Sequence, residues 1–188
     1  MRTYDIRCIA GGFTLIELIV VITILSILAA VALPRFTNLQ RDARIAKLNA
    51  AKGSVAAAAA LVHASVLARN GVVDTVACAG GGFAANGSGA ASDVCTENGR
   101  VATAFSYPAS ATALAAAVPG IVGAAGLTTV FSPTLVELQN EGYNVTVGAT
   151  AAFQIQGAPT PGTCQFTYQA PTAINTAPVI SVASIAGC

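Results

Sequence analysis

The pattern of apolar and polar positions begins with a long apolar run near the start of the chain. Between Phe13 and Leu33 lie 21 residues whose only charged side chain is that of Glu17. A helix of this length spans about 31 Å, which is close to the hydrocarbon thickness of a bilayer. This run, the apolar segment, therefore predicts one membrane-spanning helix.

A helical pattern continues beyond the apolar segment. Apolar side chains recur at helical spacings at Leu39, Ile45, Leu48, Val55, Val62 and Val66. Asn70-Gly71 supplies the stop signal, because both residues tolerate the left-handed conformation that ends helices. A helix from Phe13 to Arg69 would extend for about 85 Å.

Pro34 lies inside this predicted helix. It removes one backbone donor and clashes with the preceding turn, so a kink or local unwinding is expected there. The alternative is that Pro34 begins a second helix. The sequence leaves both interpretations open.

Residues 71–99 are rich in Gly, Ala, Ser and Asn, which predicts an irregular surface loop. The glycines invite comparison with a phosphate-binding loop, but no Gly-Lys-Ser or Gly-Lys-Thr follows and no helical pattern begins there. A phosphate site is therefore not predicted.

Strand-like patterns follow in the C-terminal region, residues 71–188, which is the head. A short helix is predicted at residues 111–118, and strands at residues 101–107, 143–147, 151–156, 163–168 and 178–184. Alternating apolar positions, with turn signals between the runs, indicate an antiparallel meander with one buried face. That face packs most simply on the helix. The predicted fold is α+β, with a long N-terminal helix packed on a C-terminal antiparallel β-sheet head.

Composition and charge add two constraints. Of the 188 residues, 54% are apolar and 9% are charged, and much of the apolar excess lies in the apolar segment. The formal net charge of +1 hides a split, because residues 34–69 carry six bases and one acid, whereas the head carries one base and five acids. This split could steer one copy towards another, but it offers no basic patch of the kind that binds nucleic acid.

The order of the first residues differs from that of a cleavable secretory signal. Such a signal has a basic start, an apolar stretch and then a small-residue cleavage site. Here Arg2 and Arg7 come first, Gly11-Gly12 follows, and the apolar segment comes last. A cut after Gly12 would leave the apolar segment on the mature chain.

The cysteines indicate the compartment. Cys8 lies in the leader, which leaves four in the mature chain: Cys78, Cys95, Cys164 and Cys188. An even count beyond a membrane segment predicts two disulfides in an oxidising space, and no spacing resembles a zinc motif. Three pairings are open, and order along the chain favours Cys78 with Cys95 and Cys164 with Cys188.

Few residues are candidates for catalysis or metal binding. His63 is the only histidine and lies mid-helix among apolar residues, which favours a packed side chain over a general base. Glu137 and Glu141 are four residues apart, but two solvated acids are a simpler interpretation than a cation site. Asn86 and Asn144 begin glycosylation acceptor patterns, which are short and frequent by chance. No enzyme activity, metal or cofactor is predicted.

The stretch GFTLIEL at residues 12–18 resembles the processing and methylation motif of type IV prepilins and of the related pseudopilins of type II secretion. The motif combines a glycine cut site, an aromatic new N-terminus and a glutamate at the fifth mature position. The stretches LPRF at 33–36, DAR at 42–44, FSYP at 105–108 and CQFTY at 164–168 resemble pilins of the mannose-sensitive haemagglutinin type.

This resemblance implies cleavage after Gly12 by a prepilin peptidase and N-methylation of Phe13 by the same enzyme. It also implies that the precursor is stored in the inner membrane. The resemblance further implies that pilus assembly machinery builds an extracellular helical filament. This filament is a homo-oligomer with the helices inside. The implied parts are a leader (1–12), a transmembrane and filament-core helix (13–33), an amphipathic second half of the helix (34–70) and the head (71–188).

Glu17 is the residue whose placement needs a physical reason. A charged side chain at mid-bilayer costs roughly 2.5 to 3.5 kcal/mol, and the apolar segment offers no basic partner. After cleavage, the α-amino group of Phe13 in a neighbouring copy could be that partner, and a head-to-tail contact of this sort generates an open filament. The alternative is an acid whose side chain reaches the headgroups. Pro34 is the second residue assigned to assembly, as the place where the helix loosens when subunits leave the bilayer.

Two functions remain from this sequence. The first is a structural subunit of an extracellular type IV pilus for adhesion, surface attachment or motility. The second is a pseudopilin of a type II secretion system, where a short periplasmic filament acts as a piston in export. Four mature cysteines and the long head favour the first. A membrane-anchored enzyme is disfavoured, because no catalytic constellation is visible.

Overall fold

A computed structural model describes residues 13–188 of the chain. Residues 1–12, the predicted leader with Cys8 and the predicted cleavage residue Gly12, lie outside the described residues. The chain divides into two compact units, of which one ends at Arg41 and the other runs from Asp42 to Cys188. The described part of the first, residues 13–41, is the N-terminal unit, and the second is the C-terminal unit.

The described chain contains one long helix, two short helices and two small sheets. The helices are α1 (Leu15–Arg69), α2 (Ile121–Ala124) and α3 (Leu135–Asn140). The strands are β1 (Ser92–Thr96), β2 (Gly99–Ala104), β3 (Tyr107–Pro108), β4 (Tyr143–Thr146), β5 (Ala151–Ile155), β6 (Gln165–Gln169) and β7 (Val179–Ile180). A single 3₁₀ turn at Pro161–Thr163 precedes β6. The predicted α+β class, with a long N-terminal helix and antiparallel strands after it, is confirmed.

The long helix ends where the sequence predicts. Asn70 and Gly71 have φ values of +48° and +74°, and the Asn70 N–H still donates to the Val66 carbonyl at 3.0 Å. Left-handed residues at this position close the last turn without a steric penalty, because asparagine and glycine tolerate them. The helical assignment includes Pro34, so a second helix does not begin there. The kink expected at Pro34 stays a prediction.

The strands form two antiparallel sheets. The larger has the order β4-β5-β6-β7 and is the predicted meander, with strand limits that differ from the prediction by a few residues. The smaller has the order β1-β2-β3. Burial alternates strictly along β2, β5 and β6, which is the pattern of a sheet with one face against a core.

One face of α1 supplies the centre of the C-terminal unit. Its buried positions recur at helical spacing and are Leu48, Ala51, Val55, Ala58, Ala59, Val62 and Val66. The first five belong to the main core, which they share with α2, α3 and the larger sheet. Val62 and Val66 form a second cluster with Val94 of β1 and Val101 of β2. The helix therefore packs on both sheets, and each fully buried aliphatic side chain contributes about 1.5 to 3 kcal/mol.

Aromatic rings mark the middle of the main core. Phe153 of β5 pairs in register with Phe166 of β6, and their rings stack with centroids 4.9 Å apart. Tyr168, also fully buried, donates its hydroxyl hydrogen to the Pro108 carbonyl at 2.8 Å. Because Pro108 lies on β3, this bond links the larger sheet to the smaller one.

The irregular loop predicted for residues 71–99 is partly wrong. Residues 71–91 lack helix and strand, but β1 begins at Ser92 and pairs with β2 across a tight turn. β1 has only one buried apolar side chain, that of Val94, opposite Val101. A strand with one apolar position shows no alternation, so the pairing partner rather than the local pattern makes it a strand.

The single strand predicted for residues 101–107 is also wrong. β2 ends at Ala104, and the chain reverses through Phe105 and Ser106 into the short β3. Both turn residues have positive φ, +48° and +70°, as a two-residue hairpin turn of the primed type requires. Asparagine and glycine normally occupy such positions, so Phe-Ser gives no turn signal.

The short helix predicted at residues 111–118 is wrong as well. The backbone there forms bends and turns, and Ala115 has a φ of +55°. The Ala115 N–H donates to the Pro133 carbonyl at 3.0 Å, and the Ser132 hydroxyl donates to the Ala116 carbonyl at 2.6 Å. Helix propensity is worth less than about 1 kcal/mol per residue, and these long-range hydrogen bonds override it.

Two disulfides brace the head. Cys78 is joined to Cys95 and Cys164 to Cys188, which are the pairs that order along the chain favours. They close loops with sequence separations of 17 and 24 residues. Loops of this length correspond to about 3 kcal/mol of stabilisation each in the chain-entropy account. Arg44 of α1 adds a hydrogen bond to the main-chain oxygen of Cys188 at 2.9 Å.

Burial also shifts two tyrosines of the C-terminal unit. Loss of hydration raises the pKa of Tyr168 well above its ordinary value, and the neighbouring Tyr107 adds to the rise. The pKa of Tyr143 is raised by burial first and by the charge of Glu141 second. Both phenols therefore stay protonated in the folded protein at pH values where an unfolded tyrosine ionises.

We expect Tyr168→Phe to lower the free energy of unfolding by about 1 to 2 kcal/mol near neutral pH, because the Pro108 carbonyl loses its donor. The loss should shrink above about pH 10, since the unfolded tyrosine releases its proton there while folded Tyr168 keeps it, so wild-type stability falls as pH rises. Urea unfolding of the detergent-solubilised chain at a series of alkaline pH values, followed by circular dichroism, measures both effects. Parallel pH slopes for the two proteins would contradict the raised pKa.

Candidate functional site: the N-terminal helix segment and the head

The apolar segment presents a continuous greasy surface in the described structure. Every large apolar side chain from Phe13 to Leu33 has between 46% and 83% of its accessible surface exposed. By length and composition, α1 is long and apolar enough to cross a membrane. Exposed apolar surface on this scale marks a site for lipid or for other protein chains.

The start of α1 is capped by Thr14. Its hydroxyl oxygen accepts a hydrogen bond from the Glu17 backbone N–H at 3.2 Å, which satisfies one of the free donors of the first turn. Glu17 lies in that first turn, where the helix dipole favours a negative charge. The Thr-x-x-Glu spacing of Thr14 and Glu17 is that of a capping box, and it is a local signal for the helix start.

The other hydroxyls of the apolar segment are satisfied by the helix itself. Thr23 donates to the Val20 carbonyl at 2.9 Å, and Ser26 donates to the Ile22 carbonyl at 2.7 Å. Such bonds let a hydroxyl enter hydrocarbon without an unpaired polar group. Within residues 13–33, the Glu17 carboxylate is thus the one side-chain polar group without a partner. It is exposed, as is Phe13, which lies four residues before it.

His63 is a packing residue of the C-terminal unit. Its ring stacks on that of Tyr107, with centroids 4.0 Å apart and planes 2° from parallel. Its Nδ1 lies 3.3 Å from the Ser106 carbonyl oxygen. These contacts hold α1 against the β2–β3 turn, and no nucleophilic side chain stands beside the imidazole among the contacts of the described residues. The packed side chain that the sequence favoured is what the structure has.

Three of the five acids of the head form ion pairs or a helix cap within the C-terminal unit. Asp74 pairs with Arg69 at 2.7 Å, and Asp93 pairs with Arg100 at 3.0 Å. Glu137 belongs to a capping box at the start of α3, where its carboxylate accepts from the Thr134 N–H at 2.7 Å. Two of the five acids of the head therefore lie beside an arginine, and a third caps a helix.

Neither acidic grouping in the described residues has the arrangement of a cation site. Glu137 is committed to the α3 cap, so the pair with Glu141 does not converge on a common point. Asp74, Cys78 and Cys95 lie within 4.8 Å of one another, but both cysteines are in a disulfide and cannot act as thiolate ligands. The carboxylate of Asp74 is bound by Arg69.

The asparagines of both glycosylation patterns, Asn86 and Asn144, make side-chain hydrogen bonds within the protein. Asn86 is fully buried, and its amide donates to the Val72 carbonyl at 2.7 Å and to Asp74 at 3.0 Å. Asn144 is half-buried on β4 and donates to Gln154 at 3.2 Å. A glycan acceptor needs an accessible amide nitrogen, so Asn86 is excluded by its burial and serves instead as a structural anchor of the 71–91 loop.

Comparison with known proteins bears on the N-terminal segment. Residues 9–33 match the prokaryotic N-terminal methylation motif. The start of the chain is therefore similar to that of proteins that carry this motif. The matched residues include Gly12, Phe13 and Glu17, so the capped helix start and the unpartnered carboxylate lie within the matched motif.

A curated relative extends the similarity beyond that motif. A stretch of 52 residues is 48% identical to the type IV narrow pilus major component PilA5 of Thermus thermophilus. The stretch covers 28% of this chain and 45% of that protein, so the match spans under half of the relative's length. No solved structure matches the chain. The resemblance of the head to pilins of the mannose-sensitive haemagglutinin type stays a prediction.

We expect Thr14→Ala to fray the first turn of α1, because the Glu17 N–H loses its acceptor. The loss of an N-cap is worth about 1 kcal/mol, so amide exchange at Glu17 should accelerate about five-fold. Hydrogen exchange measured by NMR on the chain in detergent micelles reports this rate. Thr14→Ser is the matched control, since it keeps the hydroxyl. Equal exchange rates in the two variants would show that the cap does not hold the helix start.

Proposed function

We propose that the chain is the structural subunit of a type IV pilus, made as a precursor, cleaved after Gly12 and N-methylated at Phe13. The observation that carries this proposal is the exposed apolar segment with a single unsatisfied carboxylate, Glu17. The methylation motif over residues 9–33 and the similarity to a pilus major component support it. No cofactor and no catalytic step is part of the proposal.

The chemistry of assembly follows from the partner that Glu17 lacks. Cleavage after Gly12 creates a positively charged amine on Phe13, next to the start of α1. An ion pair between this amine and Glu17 of a neighbouring subunit is worth far more in hydrocarbon than in water. Because the two groups differ, the contact is heterologous, and its repetition gives an open helical filament rather than a closed dimer.

The environment of the apolar segment changes during this process. In the precursor stage its exposed side chains lie in the inner membrane, where their transfer from water is favourable. In the filament, the same side chains pack against the segments of neighbouring subunits. Prepilin peptidase and the pilus assembly machinery are the partners of these two stages, and the mature fibre lies outside the cell.

The four parts of the chain then have separate roles. Residues 1–12 are the leader, and residues 13–33 are the membrane span and later the filament core. Residues 34–70, which begin at Pro34, carry the head, residues 71–188. The two disulfides suit an oxidising compartment outside the cytoplasm. They stabilise a head that meets solvent in the fibre, where adhesion, surface attachment or motility would be carried out.

We expect the mature subunit to begin at Phe13 and to weigh one methyl group more than its sequence. The match to the N-terminal methylation motif over residues 9–33 supports a cut and a modification there. Mass spectrometry of filaments sheared from cells measures the N-terminus and the added mass together. Long surface fibres made of this subunit support the pilus. A processed subunit that stays cell-bound, in cells that lose protein export when it is deleted, would instead indicate a pseudopilin of a type II secretion system.

We expect Glu17→Ala to be inserted and processed normally but to reduce surface filaments at least ten-fold, because the Phe13 amine of the next subunit loses its partner. Electron microscopy and immunoblots of sheared fractions measure the filaments, and membrane fractions report insertion. Glu17→Gln is the matched variant, since it keeps the size and polarity of the side chain and removes the charge. Normal fibre numbers from Glu17→Gln would show that charge pairing does not drive assembly.

A further inference from the structure

The 71–91 loop presents an exposed aromatic side chain. Phe83 has 55% of its surface accessible, although large aromatic residues usually dominate cores and interfaces. It follows three glycines, Gly80, Gly81 and Gly82, whose φ values are +78°, +92° and +80°. Only glycine adopts such a run without strain, so the loop shape depends on these residues.

The segment that carries Phe83 is braced on both sides. The Cys78 N–H donates to the Gly82 carbonyl at 2.8 Å, and the Gly81 N–H donates back to the Cys78 carbonyl at 2.8 Å. The Cys78–Cys95 disulfide ties this turn to β1. The Asp74 N–H donates to the Ala84 carbonyl at 3.0 Å, one residue beyond Phe83. The backbone that carries the aromatic ring is therefore held in place before any partner arrives, which lowers the backbone entropy lost on binding.

A cleft on the same C-terminal unit has the dimensions of a recognition site. Its volume is about 610 Å³, within the range of roughly 300 to 1,000 Å³ that is typical of binding pockets. Apolar side chains such as Val66, Leu67 and Ile174 line it together with the rings of Phe105 and Tyr107. Phe83 is not part of this lining. The cleft thus combines apolar with polar lining, and the chain's own exposed aromatic ring does not fill it.

The polar groups of the cleft fit a peptide backbone. Asn70 and Asn175 line it, and their side-chain amides have no hydrogen-bond partner among the described residues. The backbone N–H groups of Gly82 and Phe83 likewise have no acceptor within the described part of the chain. An amide side chain offers both donor and acceptor, so it can pair with main-chain groups of an inserted loop.

We propose that Phe83 of one subunit docks into this cleft on the C-terminal unit of a neighbouring subunit. The two surfaces differ, so the contact is heterologous and repeats along an open filament. The inference rests on the proposed pilus function, because only an assembled fibre brings the surfaces of many copies together.

The absence of charge on both surfaces is compatible with a second copy as the occupant, and the small contact area indicates that the contact forms within a fibre. The lining of the cleft contains no Lys, Arg, Asp or Glu, and the chain from Ala79 to Ala85 is also uncharged, so docking leaves no charge unpaired. One aromatic side chain buries about 150 to 250 Å², well below the roughly 1,000 Å² of a stable interface. The contact is therefore too small to make a dimer in solution. It acts in the fibre, where the helices already hold the subunits at high effective concentration.

Site-specific photocrosslinking in the fibre tests the contact. Phe83→p-benzoylphenylalanine replaces the ring by a photoreactive one, and irradiated sheared filaments should give covalent multimers. Peptide mapping should place the crosslink on cleft residues such as Leu67, Tyr107 or Ile174. The matched control carries the same photoreactive residue at Val76, which lies on the same loop and is 77% exposed. Normal filaments that crosslink from Phe83 to sites outside the cleft, or no more than from Val76, would overturn the proposal.

A second measurement does not depend on filaments. A synthetic peptide of residues 78–95, closed by its own disulfide, is titrated into the isotope-labelled chain in dodecylphosphocholine micelles. NMR shifts should change at His63, Tyr107 and Asn175, and the peptide with Phe83→Ser should leave them at least five-fold less affected. Shifts produced instead by a neutral hexose, with none from the peptide, would overturn the docking of a second copy and assign the cleft to small polar ligands.

The two experiments separate two failures. If the wild-type chain forms no fibres in its host, the proposed pilus function fails, and the peptide titration still decides whether the cleft accepts the loop. If fibres form but both tests miss the cleft, the pilus function stands and the docking inference is wrong.

Discussion

The whole chain is organised by the need to cover the apolar surface of one helix. From Leu48 to Val66, α1 buries its apolar face against two sheets of the same chain. From Phe13 to Leu33, the large apolar side chains of α1 have no cover in the described structure. Hydrophobic burial is favourable wherever it is completed, so the C-terminal unit gains stability by itself and the N-terminal unit requires a bilayer or other subunits. The same physical term thus produces folding in one part and association in the other.

Among the polar side chains of the apolar segment, only the Glu17 carboxylate lacks a partner in the described structure. The hydroxyls of Thr14, Thr23 and Ser26 are all bonded to the helix, whereas the Glu17 carboxylate is not. A buried charge without a partner is strongly unfavourable, so in the proposed filament the carboxylate would require a partner of opposite charge at a fixed position. Apolar packing alone is non-directional and does not fix a register. A single acid can fix the register of an apolar contact, because its ion pair requires one position.

The secondary structure of the head could be predicted where apolar and polar side chains alternate. It could not be predicted where contacts with distant residues determine the backbone conformation. The strands β4, β5 and β6 have regular buried positions, such as Val145, Phe153 and Phe166, and were found close to their true limits. β1 and the Phe105–Ser106 turn lack a local signature, because their conformation depends on pairing with β2. The stretch at 111–118 has alanine propensity for helix, but hydrogen bonds from residues beyond position 130 hold it in turns.

The sequence by itself determined that one run is long and apolar enough to span a bilayer, that the methylation motif surrounds Gly12 and Phe13, that the run carries one acid, Glu17, and that four cysteines follow it. These are local or compositional features, since a run of apolar residues or a short motif carries its physical meaning without any fold. Only the tertiary structure showed that Asn86 is buried, that three of the head's acids have partners within the C-terminal unit, and that the unit carries both an exposed Phe83 on a braced loop and an unfilled cleft. Those features depend on which distant residues meet, and chain entropy and packing decide such meetings across the whole molecule rather than in any short stretch.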